Sequence, residues 1–233
     1  MNNNSKIIAV VPIKLNSERV ESKNLREFYD GKSLTETLID NLKSSKMVSK
    51  IYISTNAVNY REYFESLGCH FIERDDKYCN NITPWSDVIH NVVQSIPEDN
   101  DRHLAWCHTT CPLFENYDGA IKTYFDKIET NEINGLITVT KSSEFIITDK
   151  KQPLNYTWGP WHRYSQHLEK IYNITGALFI AKKSEFLKNR YVISSNPELF
   201  EVSAMESLDI DTEYDFELAK ILIKNKNHLK KYD

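Results

Sequence analysis

The stretch Ile7-Ile8-Ala9-Val10-Val11-Pro12-Ile13 is the longest apolar run of the chain, and a polar loop follows it at residues 14–24. A short β-branched run that ends in a loop is typical of a buried strand. Shorter apolar runs, most of them rich in β-branched residues, recur at residues 51–54, 71–72, 104–106, 136–139 and 177–180. The opening run therefore predicts the first strand of a sheet that the later runs extend.

Apolar residues at helical spacing separate most of these runs. The stripes are Leu34, Leu38, Ile39 and Leu42; Tyr60, Phe64 and Leu67; Val88, Val92 and Ile96; and Ala120, Tyr124 and Ile128. Alternation of strand and helix predicts an α/β fold with a mostly parallel sheet and helices on both faces. The 233 residues are enough for one such domain, which we expect to span residues 1–233.

Three local signals mark helix ends. Thr83 followed by Pro84 predicts a helix that is capped by the threonine and begins at the proline. Thr212 with an aspartate three residues later, Asp215, resembles a capping box. Gly68 lies where the second helix is expected to end.

Composition excludes several functional classes. The 29 basic and 33 acidic side chains give a formal charge of −4, which argues against nonspecific binding to nucleic acid. The longest apolar run has seven residues, against roughly 20 for a membrane-spanning helix. The first residues show neither a basic region nor a cleavage site, so we expect no secretory signal and a cytoplasmic protein. The four cysteines form no Cys-x-x-Cys pair and are expected to be reduced thiols.

An irregular segment interrupts the alternation at residues 141–172. Long irregular segments in compact domains usually carry function or form an interface. We therefore predict an insertion at the carboxyl end of the sheet. Its aromatic residues can stack on a sugar or pack an interface, and the sequence favours the interface; they are Trp158, Trp161, Tyr164 and Tyr172.

The loop after the first strand is the first candidate binding site, because open parallel sheets bind ligands beyond the carboxyl ends of their strands. It carries three cations, Lys14, Arg19 and Lys23, and short polar side chains that include Ser17 and Asn24. Converging cations and hydrogen-bond donors suit a triphosphate. A solvated loop is the alternative, since two glutamates offset two of the cations. Neither glycine-rich nucleotide motif, Walker or Rossmann, occurs in the chain.

A pair of carboxylates near the other end is the second candidate. If residues 208–211 are extended, Asp209 and Asp211 share one face and Leu208 and Ile210 share the other. Two adjacent carboxylates suit Mg²⁺, which completes its coordination with water and phosphate oxygens. Asp211 directly precedes Thr212, so it can instead serve the N-terminus of the last helix.

Five segments together resemble the acylneuraminate cytidylyltransferases, which are also called CMP-sialic acid synthetases. They are residues 12–24, 53–56, 108–113, 175–180 and 208–216, in the family's order across nearly the whole chain. The resemblance implies a Rossmann-like, GT-A-like nucleotidyltransferase fold. It also implies that CTP and Mg²⁺ are used to couple CMP to a 2-keto sugar acid, with release of pyrophosphate. A homodimer formed through the inserted segment is a further expectation from the family.

The resemblance assigns roles to individual positions. Lys14 lies at the position of a catalytic arginine, and Ser17, Arg19 and Lys23 would line the triphosphate. Asn24 would contact the cytosine. Asp209 and Asp211 would hold magnesium, with Asp211 and Lys23 also catalytic. The remaining expected contacts are Pro12, Arg74 and His108 for the nucleotide, and Arg163 and Gln166 for the acceptor.

The chain departs from the family pattern at several of these positions. Lys14 replaces the arginine, His108 replaces a glutamine, and Asn56 replaces an aspartate. Lysine cannot make the planar two-point contact of arginine. Because of these departures, the sequence does not decide which acidic acceptor is used. Two alternatives also stay open, a non-catalytic protein that binds nucleotides or sugar nucleotides, and a sugar transferase that uses Asp209-Ile210-Asp211 as an Asp-x-Asp motif.

Overall fold

The computed structural model describes residues 6–14, 20, 22–130 and 132–229. The strands are β1 (Ile7–Pro12), β2 (Glu27–Tyr29), β3 (Lys32–Ser33), β4 (Val48–Thr55), β5 (His70–Glu73), β6 (His103–Cys107), β7 (Gly135–Ser142), β8 (Ile171–Lys182) and β9 (Pro197–Glu201). The α-helices are α1 (Leu34–Ser44), α2 (Arg61–Ser66), α3 (Trp85–Ser95), α4 (Tyr117–Ile128), α5 (Lys183–Asn189), α6 (Glu213–Lys224) and α7 (Lys226–Leu229). Every predicted strand run lies in one of these strands, and the four helical stripes coincide with α1 to α4.

The main sheet has seven strands in the order β5-β4-β1-β6-β8-β7-β9. β8 runs antiparallel to both of its neighbours, β6 and β7. The other neighbouring pairs are parallel. The predicted mostly parallel sheet is therefore confirmed, and the carboxyl ends of β1, β4, β5, β6 and β7 point to one edge.

Alternate side chains of β1 enter two separate cores. Ile7, Ala9 and Val11 pack against one set of helices, α1, α2 and α4. Ile8 and Val10 pack on the opposite face against α3 and α5. Burial of an isoleucine contributes about 1.5–3 kcal/mol, and both isoleucines of β1 are 0% exposed. The central strand is therefore covered on both faces, as the continuous apolar run predicts.

A third, smaller core joins the two ends of the chain. Its buried members are Val20, Phe28, Leu34, Ile210, Phe216 and Ala219. Phe28 on the β2–β3 hairpin meets Phe216 on α6 edge to face, with ring centroids 5.4 Å apart. This core packs residues near the C-terminus against the end of the first loop.

The helix-end predictions are confirmed at two positions and wrong at one. Thr212 caps α6 in a capping box with Asp215. Gly68 follows α2 in the left-handed region at φ +72°, which a side chain would strain. The third prediction is off by one residue, because α3 begins at Trp85 with Pro84 in the cap position. The Thr83 hydroxyl instead donates to the carbonyl of Lys77.

The irregular segment connects β7 to β8 at the carboxyl edge of the parallel strands, where the sequence predicts it. It contains two short 3-10 turns, Gly159–Trp161 and Ser165–His167. All four cysteines are free thiols, as expected, and three of them are buried. Within the described ranges, no helix combines the length and the apolar character that crossing a membrane requires.

Candidate active site

A cleft of about 540 Å³ opens at the carboxyl edge of the sheet. The ends of β1, β5 and β6 contribute one wall, and the start of α3 contributes the other. Its lining combines cationic, polar and aromatic side chains and consists of Pro12, Lys14, Arg74, Tyr78, Asn80, Asn81, Ile82, Thr83, Pro84, Trp85, Val88 and His108. Four of the predicted nucleotide-binding residues, Pro12, Lys14, Arg74 and His108, therefore share one cavity.

Arg74 is a buried cation in this cleft. It is 5% exposed and follows β5 directly. Its guanidinium donates to the carbonyl of Ile13 and, at 3.0 Å, to the thiol of Cys79. Burial lowers its pKa, and the neighbouring Cys79 opposes that shift. Arginine stays charged in proteins, and no described carboxylate pairs with it, so its charge is available to an anion in the cleft.

Lys14 is held at both its backbone and its side chain. The ammonium donates to the side-chain oxygen of Asn81, and the carbonyl accepts from the Asn24 amide at 3.1 Å. The side-chain oxygen of Asn24 in turn accepts from the Thr109 hydroxyl at 2.7 Å. The Asn24 side chain thus links the loop after β1 to the loop after β6. One of its two amide hydrogens is left for the predicted contact with the base.

Lys23 lies against the carboxylate pair. Its ammonium donates to the carbonyl of Ile210 at 2.6 Å, while the Ile210 side chain is 0% exposed in the third core. The backbone N–H of Ile210 also donates to Thr110 at 2.9 Å. These contacts hold residues 208–211 between the first loop and the loop after β6.

The predicted alternation along residues 208–211 is observed. Ile210 points into the core, Asp209 is exposed, and Asp211 is partly buried. The capping hydrogen bonds of α6 come from Thr212 and Asp215, whose carboxylate also accepts from the backbone of Asp211. Helix capping therefore does not require the Asp211 carboxylate.

Asp209 and His108 both lie close to Gly176. A Cβ placed on Gly176 would lie 3.1 Å from the Asp209 carboxylate and 3.2 Å from Nδ1 of His108. The other ring nitrogen, Nε2, accepts from the indole N–H of Trp106 at 2.8 Å. Burial lowers the pKa of His108, against an opposing effect of Asp209. Because an indole N–H only donates, Nε2 of His108 carries no proton in this hydrogen bond, and Nδ1 faces Gly176 and Asp209.

The donor set of the aspartate pair fits a magnesium ion. Asp209 and Asp211 offer hard oxygen ligands, and Asp209 takes part in none of the ion pairs found among the described residues. The described residues contain no group of three or more His, Cys, Asp or Glu side chains that could hold a metal. A site with two protein carboxylates therefore depends on substrate phosphates and water for its other ligands, as Mg²⁺ sites commonly do.

The two predicted acceptor residues lie elsewhere. Arg163 lines a separate groove of about 330 Å³ within the inserted segment, together with Tyr156, Trp161 and His167. Gln166 is exposed on the following turn and contacts Ser165. The structure thus does not bring either residue to the cleft within one chain. Ser17 and Arg19 lie outside the described residues.

Sequence reasoning missed several residues that shape the cleft. Asn81 and Cys79 contact Lys14 and Arg74, and Trp106 orients His108. Trp106 carried a usable signal, since it lies two residues before His108 at the end of a strand and therefore shares its face. Asn81 carried none, because its contact joins residues 67 positions apart.

Comparisons with known proteins identify the family of the chain. Residues 8–232 match the family model described as cytidylyltransferase. A pseudaminic acid cytidylyltransferase of Campylobacter jejuni is 24% identical over 94% of this chain and 97% of its own length. An N-acylneuraminate cytidylyltransferase of Escherichia coli is 26% identical over 97% of this chain and 54% of its own.

Solved structures support the fold. A CMP:2-keto-3-deoxy-manno-octonic acid synthetase in complex with CTP superposes with a TM-score of 0.67 at 13% identity, covering 95% of this chain and 99% of that one. A 2-C-methyl-D-erythritol 4-phosphate cytidylyltransferase of Francisella tularensis gives a TM-score of 0.63 at 15% identity, covering 93% and 99%. The resemblance and the nucleotidyltransferase fold that the sequence predicts are confirmed. The chain belongs to the cytidylyltransferase family of nucleotidyltransferases.

Proposed function

We propose that this protein transfers CMP from CTP to the hydroxyl of a 2-keto sugar acid of the sialic acid type and releases pyrophosphate. The observation that carries the proposal is a separation of charge at one edge of the sheet. Lys14 and Arg74 lie in the cleft, and neither pairs with a carboxylate among the described residues; Asp209 and Asp211 lie on the segment that Lys23 holds. This arrangement supports a site in which cations for a triphosphate lie close to oxygen ligands for its metal.

The reaction forms a bond between the acceptor oxygen and the α-phosphorus of CTP. It breaks the bond from the α-phosphorus to the oxygen that leaves with pyrophosphate, and the hydroxyl proton passes to water. Negative charge grows on the leaving oxygen, so positioned cations accelerate the step. We assign Lys14, Lys23 and Arg74 to this electrostatic role.

Asp209 and Asp211 are the proposed ligands of Mg²⁺. The chemistry that the bound ion supplies is neutralisation of phosphate charge and a lower pKa of the attacking hydroxyl. The hydrogen bond from Lys23 to the Ile210 carbonyl then has a structural role. It fixes the distance between a triphosphate cation and the carboxylate pair.

The base and ribose of CTP fit the cleft beside His108 and Trp85. The cleft volume of about 540 Å³ lies within the usual range of about 300–1,000 Å³ for small-molecule sites. The imidazole is fixed by Trp106, so its position relative to a ribose is set before the nucleotide binds. Asn24 is the proposed contact of the cytosine.

Three classes of sugar acid are candidates for the acceptor. The Campylobacter relative named for pseudaminic acid matches over nearly its full length, whereas the relative named for N-acylneuraminate is matched over 54% of its own. This difference makes pseudaminic acid a second candidate acceptor beside sialic acid. An eight-carbon 2-keto acid is a third, since the synthetase of such an acid shares the fold.

We further propose that the inserted segment forms a homodimer and completes the acceptor site. Trp158, Trp161 and Tyr164 are 56%, 77% and 76% exposed in the single chain. Exposed aromatic clusters of this kind commonly mark protein interfaces. Arg163 and Gln166 would then reach the acceptor from this segment or from a partner subunit.

A pyrophosphate-release assay tests the function. The purified protein is given CTP and Mg²⁺ with sialic acid, pseudaminic acid or an eight-carbon 2-keto sugar acid in turn, and ATP, GTP and UTP replace CTP as controls. We expect release with CTP and with one class of acceptor. Binding of CTP without release for any acceptor would favour the non-catalytic alternative.

A further inference from the structure

The two cations of the cleft are held by neutral groups. Arg74 donates to a carbonyl and a thiol, and Lys14 donates to the side-chain oxygen of Asn81. Several lysines elsewhere in the chain pair with carboxylates, such as Lys32 with Asp40 and Lys50 with Glu98. A neutral acceptor orients a cation without cancelling its charge, so the choice of partner bears on anion binding.

The segment that carries Asn81 is itself fixed by a side chain. The Asn80 oxygen accepts from the backbone N–H groups of Ile82 and Thr83, both at 2.8 Å. The Asn80 amide donates to the carbonyl of Lys77 at 2.7 Å. Asn80 is therefore engaged in holding the turn, and the next residue, Asn81, is presented to Lys14. The pair lies on the wall between the 540 Å³ cleft and a neighbouring hollow of about 430 Å³.

A lysine at this position needs such an acceptor more than an arginine would. The lysine side chain has four rotatable carbon segments and a single charged nitrogen, and ordering it costs entropy. Arginine is oriented by its planar fork. The Asn81 oxygen supplies the orientation that the ammonium group cannot supply by itself.

We propose that Asn81 is a positioning residue that holds the Lys14 ammonium toward the triphosphate of CTP. This inference rests on the proposed function. The Asn81 amide limits the motion of the Lys14 side chain. It also leaves the positive charge of the ammonium group uncompensated. The two properties can be separated by substitution.

Asn81→Ala removes the acceptor, and Asn81→Asp keeps an acceptor but adds a negative charge beside Lys14. Asn59→Asp is the matched control, since Asn59 is exposed and does not line the cleft. Dissociation constants for CTP and for inorganic tripolyphosphate are measured by calorimetry, together with kcat, KM and the thermal midpoint. Each substitution is repeated in a Lys14→Ala background.

We expect Asn81→Ala to weaken CTP binding about 3- to 10-fold, the scale of the net contribution of a typical hydrogen bond, because the ammonium group itself is kept. Asn81→Asp is expected to weaken it more, about 10-fold or above, because the new carboxylate competes with the triphosphate for Lys14. Asn59→Asp should leave binding within about twofold. In the Lys14→Ala background the effect of Asn81→Ala should vanish, since coupled residues are not additive.

Two results would overturn the inference while leaving the function in place. One is pyrophosphate release by all Asn81 variants with unchanged KM and affinity. The other is an Asn81→Ala effect of the same size with and without Lys14. If the unmodified protein binds neither CTP nor tripolyphosphate, the proposed function and this inference both fail.

Discussion

The cleft and the inserted segment lie at the same edge of the sheet but are built in opposite ways. One wall of the cleft follows directly from strand ends and is tied to the core, as Arg74 shows with its 5% exposure and its contact to Ile13. The segment at residues 143–170 depends on local contacts, chiefly the buried Asn155, which bonds the backbone of Ile146 and Glu144. Trp161 nearby is 77% exposed.

This contrast indicates that the cleft and the inserted segment have different roles. The cleft that we propose for the nucleotide is formed by residues of one chain. The segment leaves an aromatic surface that a single chain does not cover. We therefore expect substitutions in the cleft to act on CTP and on turnover, and substitutions in the segment to act on the acceptor and on assembly.

The largest effect is expected for Asp211→Ala. Loss of a metal-binding carboxylate removes several kcal/mol of transition-state stabilisation, so kcat should fall on the order of 10²- to 10³-fold. Steady-state kinetics over a range of Mg²⁺ concentrations measure the change. Glu213→Gln is the control two residues away, since it breaks only an exposed ion pair with Arg26 and should leave kcat unchanged. An unchanged kcat and Mg²⁺ dependence in Asp211→Ala would refute the metal role.

Arg74→Lys should come next and should act on binding. A lysine cannot contact both Ile13 and Cys79 as the guanidinium does. We expect the dissociation constant of CTP to rise about 10- to 100-fold, the scale of one or two charged hydrogen bonds, which titration calorimetry would detect. Arg61→Lys is the matched control, because Arg61 lies on α2 and does not line the cleft. If the unmodified protein, Arg74→Lys and Arg61→Lys all bound CTP with the same affinity, the triphosphate would lie outside this cleft.

Gly176→Ala should have a moderate effect on turnover. The added methyl group would lie 3.1 Å from the Asp209 carboxylate and 3.2 Å from His108, so both must shift by a few tenths of an ångström. Misplacement of a catalytic group is costly, and we expect kcat to fall about 10-fold with the thermal midpoint nearly unchanged. Gly159→Ala is not a suitable control because Gly159 has a positive φ. A wild-type kcat would mean that Asp209 tolerates this displacement.

The smallest effect on CTP is expected for Trp161→Ser. The side chain lies in the segment, so CTP affinity should stay within about twofold, in line with a surface substitution away from the cleft. Light scattering coupled to size exclusion should report loss of the dimer, and the KM for the acceptor should rise. Weaker CTP binding with an intact dimer would contradict the division between the two regions.

The two regions also differ in how far sequence reasoning reaches. The strands and most helices were predictable because apolar spacing reports burial directly, as in residues 7–11. The contrast between the exposed Asp209 and the buried Ile210 was also predictable, because successive side chains of an extended segment point to opposite faces. Edge strand β9 was missed, since its two glutamates, Glu198 in contact with Lys127 and Glu201 with Tyr172, hide the strand pattern.

Contacts between distant loops were beyond that logic. The bond between Lys14 and Asn81 and the bridge from Asn24 to Thr109 depend on loop geometry that no spacing encodes. The roles of Arg163 and Gln166 came only from the resemblance, and one chain does not bring either residue to the cleft. The dimer and the magnesium ion stay predictions for the same reason, since each depends on a second component.

The most direct test of the central claim follows the α-phosphorus of CTP. The protein is incubated with CTP labelled at that phosphorus, Mg²⁺ and the best acceptor of the panel, and the products are separated. We expect the label in a CMP conjugate of the sugar acid, in equal amount to the pyrophosphate released. Label in free CMP alone, or no turnover despite CTP binding, would contradict a cytidylyltransferase that acts on sugar acids.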